Sequence, residues 1–323
     1  MAETPLRDRP LAERIAWVRE DRAHGASALA REAADILHAC ALAGLAPEAD
    51  ARAALVELHQ AAQELAASRS SMIALANTVG RIWAETQEET RTRTGARKRS
   101  EARPALEAAR QSAEVLLTGW AAASQQITSH ARPSLQGTIL THSLSGTVQA
   151  ALIACRDQVA QVYVTEGRPR CEGREMAQAL SVAGLRVTLL TDAQAGLFIP
   201  ECAAVVVGAD SVLADGSVIN KAGTYLLALA ARAARPKLVP FLALAETLKI
   251  APSAQPHLEE MDPAEVLPTP APAGVNARNL YFDRTPARLV STIITERGPL
   301  DRAQVRKQAA KARHWARLLE QPL

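Results

Sequence analysis

The feature that most constrains the fold is a change in the pattern of apolar residues near Gly137. From there on, short β-branched runs alternate with alanine-rich stretches long enough to form helices; the runs are "GTIL", "QVYVT", "RVTLLTD", "AAVVVGAD" and "KLVPFLAL". Runs that are apolar throughout are typical of parallel strands covered on both faces. The pattern therefore predicts a doubly wound α/β domain over residues 131–323.

The preceding residues, 1–130, show helical spacing of apolar positions almost throughout. The spacing is clearest in "GASALAREAADILHACALAG", which Gly44 is placed to end, and in "ARAALVELHQAAQELAA". A long segment of mixed charge follows, with a helix break expected near Gly95 and Arg97. These residues predict a helical N-terminal domain.

The balance of charged residues limits the kinds of partner that the chain is expected to bind. The chain has 323 residues, 37 Lys and Arg against 34 Asp and Glu, and a formal charge of +3. This balance argues against a general nucleic-acid or anionic-membrane surface, so any anion site is expected to be local. The length favours two domains.

Targeting and metal signals are not found in the sequence. The N-terminal segment carries acids and prolines, and no stretch of about 18 consecutive apolar residues occurs. The four cysteines lack the spacing of a zinc site or a disulfide framework. We expect a cytoplasmic protein that uses neither a metal nor a cofactor.

The stretch "ILTHSLSGTV" runs from a strand through a polar turn into a helix. Backbone N–H groups at Ser145, Gly146 and Thr147 would lie at the helix N-terminus, where the helix dipole favours an anion. The same residues also fit an ordinary helix cap. The turn alone leaves both readings open.

Further polar residues follow the other predicted strands. Arg168 and Arg170 end the second strand, and paired guanidinium groups suit phosphate or carboxylate. Asp210 ends a very apolar strand, where desolvation would raise its pKa and suit proton transfer, although an aspartate there is also typical of a helix cap. Asn220 and Lys221 are predicted at the start of the next helix.

Two clusters in the helical domain extend this pattern. Arg22, His24 and Gly25 precede one predicted helix, and Arg69 stands beside two serines before another. Each cluster fits a surface position on its own. Several basic or Gly/Ser clusters at helix starts and strand ends together favour an anion-binding site.

In order along the chain, "RAHGASALA", "SRSS", "ILTHSLSGTV", "TEGRPRCEG", "VVVGADSVLADGSVINKAGTY", "LAETLKIAP" and "YFDRTPARLVSTIITERG" resemble one known family. That family unites methylthioribose-1-phosphate isomerase, ribose-1,5-bisphosphate isomerase and the alpha, beta and delta regulatory subunits of translation initiation factor 2B. The resemblance implies a helical N-terminal domain followed by a Rossmann-like doubly wound parallel-sheet domain. It also implies dimers, or assemblies built from dimers, formed through the second domain.

The resemblance also implies residue roles. Asp210 matches the catalytic aspartate of the isomerase members, and Ser143 occupies the place of their catalytic cysteine. Positions matching phosphate and sugar ligands are Arg22, Arg168, Asn220 and Lys221. His24 and Leu144 depart from the family pattern, which has arginine and asparagine there.

Ser143 bears directly on catalysis. A cysteine has a pKa of about 8.5 and ionises near neutral pH when cations lie close, whereas a serine hydroxyl needs an adjacent base. His142 is not expected to be that base, because successive strand residues point to opposite faces.

Two functions follow from the resemblance. The first is a phosphosugar-binding protein with aldose-to-ketose isomerisation of a ribose-1-phosphate-type substrate; the second is a non-catalytic regulatory or assembly subunit that senses a phosphorylated metabolite. We expect a phosphate in a pocket framed by Ser145, Gly146, Thr147, Arg168 and Lys221. We also expect a homodimer through an apolar C-terminal helix, "PARLVSTIITERG", with Thr285 and Pro286 at its start and Gly298 just past its end.

Overall fold

The structure is a computed structural model, described here over residues 5–21, 24–69, 72–94, 102–256, 258, 260–267 and 270–322, without the side chains of 89–94. The chain divides into two compact units. The first comprises Met1–Ala121 and Ala309–Leu323, and the second comprises Ala122–Gln308. The helix break expected near Gly95 and Arg97 lies outside the described residues.

The helices of the described chain are α1 (Leu11–Glu20), α2 (Ala26–Gly44), α3 (Ala51–Ser68), α4 (Ile73–Thr94), α5 (Ala102–Ala131), α6 (Gly146–Ala154), α7 (Gly173–Val182), α8 (Ala195–Phe198), α9 (Thr224–Ala233) and α10 (Arg302–Glu320). The strands are β1 (Gly137–His142), β2 (Val159–Thr165), β3 (Val187–Leu190), β4 (Ala204–Val207), β5 (Ser211–Val212), β6 (Val218–Lys221), β7 (Phe241–Leu244), β8 (Phe282–Thr285), β9 (Thr292–Thr295) and β10 (Gly298–Leu300).

The first unit is a helical bundle in which α2 packs against α1, α3 and α4. Alanines supply much of its buried surface, as at Ala30, Ala33 and Ala34 of α2, which lets neighbouring helices approach closely. Asp50 caps α3 by accepting hydrogen bonds from the backbone N–H groups of Arg52 and Ala53. The prediction of a helical N-terminal region is confirmed.

The second unit is built on a seven-stranded sheet in the order β10-β9-β7-β4-β1-β2-β3. All neighbouring strands are parallel except the β9–β10 pair at one edge. The chain starts in the middle at β1, moves outward to β3, and returns to the other side of β1 at β4. The order reverses between β1 and β4, which makes this point the topological switch of the sheet.

Helices cover the sheet. The end of α5 together with α6 and α7 shares one apolar core with the strands, with Val148, Met176 and Val206 among its fully buried members. A further helix, α9, contacts β4 and β7, and it also contacts α8. The predicted doubly wound α/β architecture is confirmed.

Two local predictions are wrong. The segment "PARLVSTIITERG" forms no α-helix: a 3-10 turn at Ala287–Leu289 leads into β9, which joins the parallel sheet, β10 folds back on it, and Thr285 ends β8. Ile293 and Ile294 are buried in that sheet, which explains the apolar character of the segment. Asn220 and Lys221 lie at the end of β6 and do not begin a helix, because the β5-β6-β8 sheet takes them up before α9 begins.

The division into units runs through two helices. The second unit takes residues 122–131 of α5, and the first takes residues 309–320 of α10. A boundary at residue 130, with residues 131–323 as one domain, therefore stays a prediction. None of the helices in the described part of the chain has both the length and the apolar character needed to cross a bilayer.

Candidate functional site at the carboxyl edge of the sheet

The switch point is occupied by the turn between β1 and α6. Ser143 adopts a left-handed backbone conformation, with φ 57°, which turns the chain away from the strand. Ser145 is the N-cap of α6 and accepts a 3.4 Å hydrogen bond from the backbone N–H of Val148. The turn therefore presents the first backbone N–H groups of α6 at the carboxyl edge of β1.

Gly208, which directly follows β4, allows the end of β4 to lie close to the turn between β1 and α6. A Cβ atom there would lie 2.4 Å from Ser145 Oγ and 2.9 Å from Ser145 Cβ. Only a residue without a side chain fits without displacing the turn. The "GAD" segment that leads to Asp210 is thus packed directly on the N-cap of α6.

His142 is a buried structural residue of this edge. Its Nε2–H donates to the backbone carbonyl of Ala222 at 2.9 Å, and its Nδ1 lies 2.6 Å from Thr165 Oγ1. Burial lowers the pKa of His142, which fits a neutral ring with Nδ1 accepting from the threonine. Both ring nitrogens are engaged, so His142 does not serve Ser143 as a base.

The loop after β2 is held by Asp192. Its carboxylate accepts hydrogen bonds of 2.8 Å from the backbone N–H groups of Gly167 and Arg168. Gly167 packs on the turn, since a Cβ there would lie 2.6 Å from Ser143 Oγ. This arrangement places the exposed Arg168 beside the β1–α6 turn.

Asp210 is influenced by two lysines and one glutamate as well as by its burial. Burial is the largest influence and raises the pKa of Asp210, while Lys249 and Lys221 lower it and Glu172 raises it further. Its backbone N–H donates to the carbonyl of Ile219 at 2.9 Å. A carboxyl group held protonated to higher pH is suited to donate a proton.

Both lysines near Asp210 are paired with glutamates. Lys249 Nζ lies 3.2 Å from Glu246 Oε2, and Glu246 Oε1 accepts from Thr147 Oγ1 at 3.3 Å. Lys221 Nζ lies 2.7 Å from Glu172 Oε1. These contacts link the α6 turn to the end of β7, and β6 to the start of α7, while both lysines act electrostatically on Asp210. We call Glu246, Lys249, Asp210, Lys221 and Glu172 the polar row.

Two more contacts complete the surroundings of β6. Lys221 Nζ stands 4.6 Å from the ring centroid of Tyr281, a cation–π contact. Asn220 is buried, and its Nδ2 donates to Thr224 Oγ1 at 3.0 Å. Asn220 Oδ1 lies near Gly208, so this side chain faces the same edge as the α6 turn.

The remaining predicted site residues belong to the first unit. Arg22 lies outside the described residues. His24 Nδ1 lies 2.8 Å from Asp21 Oδ2, the backbone carbonyl of Asp21 accepts from Arg69 Nη1, and Gly25 is the N-cap of α2. The structure therefore gathers His24 and Arg69 around Asp21, and the role of these residues as ligands stays a prediction.

In the second unit, the structure brings together at one edge Ser143, Ser145, Gly146, Thr147, Arg168, Asp210, Asn220 and Lys221. The ion pairs of the polar row also involve Glu172, Glu246 and Lys249, which the sequence patterns did not mark as site residues. Glu172 had a readable signal, since it stands just before α7 in the same loop as Arg168. No pattern along the chain pairs Glu246 with Lys249 and Thr147 at once.

The strand order and the polar row at its switch point define a doubly wound α/β protein that carries a separate helical unit. The chain belongs to the initiation factor 2 subunit family, because the sequence profile of that family matches residues 22–302.

Its similarities to individual proteins point in two directions. It is 40% identical over 170 residues to a ribose 1,5-bisphosphate isomerase of Archaeoglobus fulgidus, covering 50% of this chain and 53% of that protein. It is 38% identical over 181 residues to a 5-deoxyribose 1-phosphate isomerase of Moorella thermoacetica, covering 50% and 51%. The chain spans about half the length of the curated relatives it matches.

A solved structure covers more of the chain. The Pyrococcus horikoshii translation initiation factor eIF-2B superposes with a TM-score of 0.71 at 30% identity, over 90% of this chain and 96% of that one. The names of the relatives thus include both isomerases and initiation-factor subunits.

Proposed function

We propose that the chain binds a ribose phosphate at the carboxyl edge of its sheet and isomerises the aldose to the ketose. The observation that carries this proposal is Asp210, whose pKa burial raises at the switch point of the sheet. The names of relatives near 40% identity, isomerases of ribose phosphates, support it. The identity of this ribose phosphate is also a matter of proposal, and it is tested with a panel of sugar phosphates below.

In this proposal each group has a role. The phosphate is held by the N–H groups from Ser145 to Thr147 and by Arg168. Protonated Asp210 gives its proton to the ring oxygen as the bond from that oxygen to C1 breaks. The hydrogen on C2 then moves to the electron-deficient C1 with its bonding electron pair, as hydride, and the C2 hydroxyl gives its proton to the Asp210 carboxylate as C2 becomes the ketone.

Ser143 orients the substrate in this scheme. Its hydroxyl does not ionise near neutral pH, and His142 is engaged elsewhere. The same serine favours a second candidate function, a non-catalytic subunit that senses a phosphorylated metabolite. Asp210 and the polar row around it favour the isomerase function.

We also propose a homodimer through the second unit. Leu197 of α8 is 74% exposed and Leu226 of α9 is 68% exposed, and the two helices are in contact. Large apolar side chains exposed on adjoining elements are typical of an interface. Leu226→Asp should convert a dimer into a monomer in light scattering; a wild-type monomer at micromolar concentration would refute the proposal.

The proposed location is the cytoplasm, where thiols stay reduced. All four cysteines are free, and Cys40, Cys155 and Cys202 are buried.

A thermal-shift screen followed by a turnover assay tests the function. Ribose 1-phosphate, ribose 1,5-bisphosphate, methylthioribose 1-phosphate and AMP are added separately, and a ligand that binds the folded chain raises the melting temperature. Each sugar phosphate that shifts the wild type is then assayed for ketose. Binding with turnover supports the isomerase, binding without turnover supports the sensor, and no shift with any compound refutes both.

A further inference from the structure

The polar row at the carboxyl edge is nearly balanced in charge. Its members are two ion pairs, Glu246–Lys249 and Glu172–Lys221, and Asp210, whose pKa both lysines lower. Each lysine is paired with a glutamate and also acts electrostatically on Asp210. With Asp210 protonated the charges sum to zero, and with Asp210 ionised they sum to a negative charge. Tyr281, which covers Lys221, has Glu265 and Arg170 beside its hydroxyl, one further charge of each sign. The Lys221 end of the row therefore offers no net positive charge to a phosphate dianion.

Glu172 is held firmly in that row. It occupies the N-cap position of α7, and the next residue, Gly173, is packed so tightly that a Cβ there would lie 2.1 Å from the carbonyl oxygen of Thr165. The backbone at Glu172 is thus fixed against the end of β2. The other face of the Lys221 ammonium is covered by the Tyr281 ring.

One oxygen of Glu172 is left for a ligand. Oε1 receives Lys221 Nζ at 2.7 Å. Oε2 is buried and, within the described part of the chain, has no hydrogen-bond partner. A buried carboxylate oxygen without a donor is costly, and a sugar hydroxyl is a donor that would satisfy it.

We propose that Glu172 is a specificity-determining residue which makes this end of the site a hydroxyl subsite and selects a sugar monophosphate over a bisphosphate. The inference rests on the proposed function. The single phosphate lies at the α6 turn beside Arg168, and the unphosphorylated end of the sugar lies at Glu172 and Lys221. A second phosphate at that end would meet the Glu172 carboxylate, and like charges at contact distance repel.

Calorimetric titration of ribose 1-phosphate and ribose 1,5-bisphosphate tests this assignment. The wild type should bind the monophosphate at least tenfold more tightly. Glu172→Gln keeps the size of the side chain and removes its charge, so it should raise the affinity for the bisphosphate at least tenfold and change that for the monophosphate less than threefold. Glu172→Asp keeps the charge and should keep the wild-type preference.

Glu175→Gln is the matched control, because it removes the same charge from an exposed position of the same helix; it should leave both affinities unchanged. A wild type that prefers the bisphosphate, or a Glu172→Gln variant with an unchanged ratio of affinities, would overturn the assignment while leaving the proposed function standing. Failure of the wild type to bind either sugar at millimolar concentration would overturn the proposed function and this assignment with it.

Discussion

Gly208→Ala is the substitution whose effect the site geometry fixes most sharply. The added methyl would lie 2.4 Å from Ser145 Oγ and 2.9 Å from Ser145 Cβ, about 1 Å inside ordinary contact. The β1–α6 turn must move or the strand must shift. Overpacking of this kind costs about 1–3 kcal/mol, and we expect the upper half of that range because two atoms of one residue are in the way.

Ser145 supplies the compensating change. Ser145→Gly removes both clashing atoms, and replacing a helix N-cap serine by glycine costs only a few tenths of a kcal/mol. In the double variant the nearest remaining atom to the new Cβ is Asn220 Oδ1 at 3.9 Å, an ordinary contact. The double variant should therefore be more stable than Gly208→Ala alone, with a coupling energy of about 1.5 kcal/mol or more.

The assay is chemical denaturation of the wild type, the two single variants and the double variant. Gly196→Ala is the control, because a Cβ at that helical position meets nothing within 4 Å; it should be neutral or stabilising by about 0.5–1 kcal/mol. Two results would refute the close approach of Gly208 and Ser145. One is a Gly208→Ala variant as stable as the wild type, and the other is a double variant destabilised by the full sum of the single effects.

Two further predictions concern carboxylates of the second unit. Burial raises the pKa of Asp210 above 3.8, so the folded chain loses stability as the pH rises from the unfolded pKa through the folded one. Asp210→Asn should therefore raise the melting temperature at pH 7, with a gain that disappears below about pH 4; a lower melting temperature at pH 7 would contradict this. Asp283 accepts hydrogen bonds from the backbone N–H groups of Gly223, at 2.8 Å, and Tyr225 at the start of α9. Asp283→Ala should therefore lower the free energy of unfolding by about 1–2 kcal/mol in denaturant titrations, and Asp283→Asn should lower it by less. Equal losses in the two variants would contradict the capping role of Asp283.

The fold was predictable from the sequence where burial alone decides the pattern. The run Ala204–Val207 is buried at every position, and a parallel strand covered on both faces leaves no other pattern. The segment from Ala287 to Gly298 misled the analysis because a short apolar run fits a helix or a buried strand equally well. Its identity as β9 depends on pairing with β7, distant in sequence, and no local pattern carries that contact.

The site was predictable only in part for a similar reason. Residues at strand ends, such as Asp210 and Arg168, follow from the rule that parallel strands end at one edge. Ion pairs between elements do not follow from it: Lys221 meets Glu172 across 49 positions of sequence. That pairing is why we propose Lys221 as a compensated charge, while its role as a phosphate ligand stays a prediction.

The most direct test of the central proposal is the conversion of ribose 1-phosphate labelled with carbon-13 at C2, followed by NMR. The wild type should produce the ketone carbon signal of the ketose, and Asp210→Asn should not, because an amide cannot donate and recover the proton that ring opening requires. Asp157→Asn, which alters an exposed carboxylate of the same unit, should retain the wild-type rate. A ketone signal that survives Asp210→Asn at the wild-type rate would contradict the role of Asp210 on which the proposed function rests.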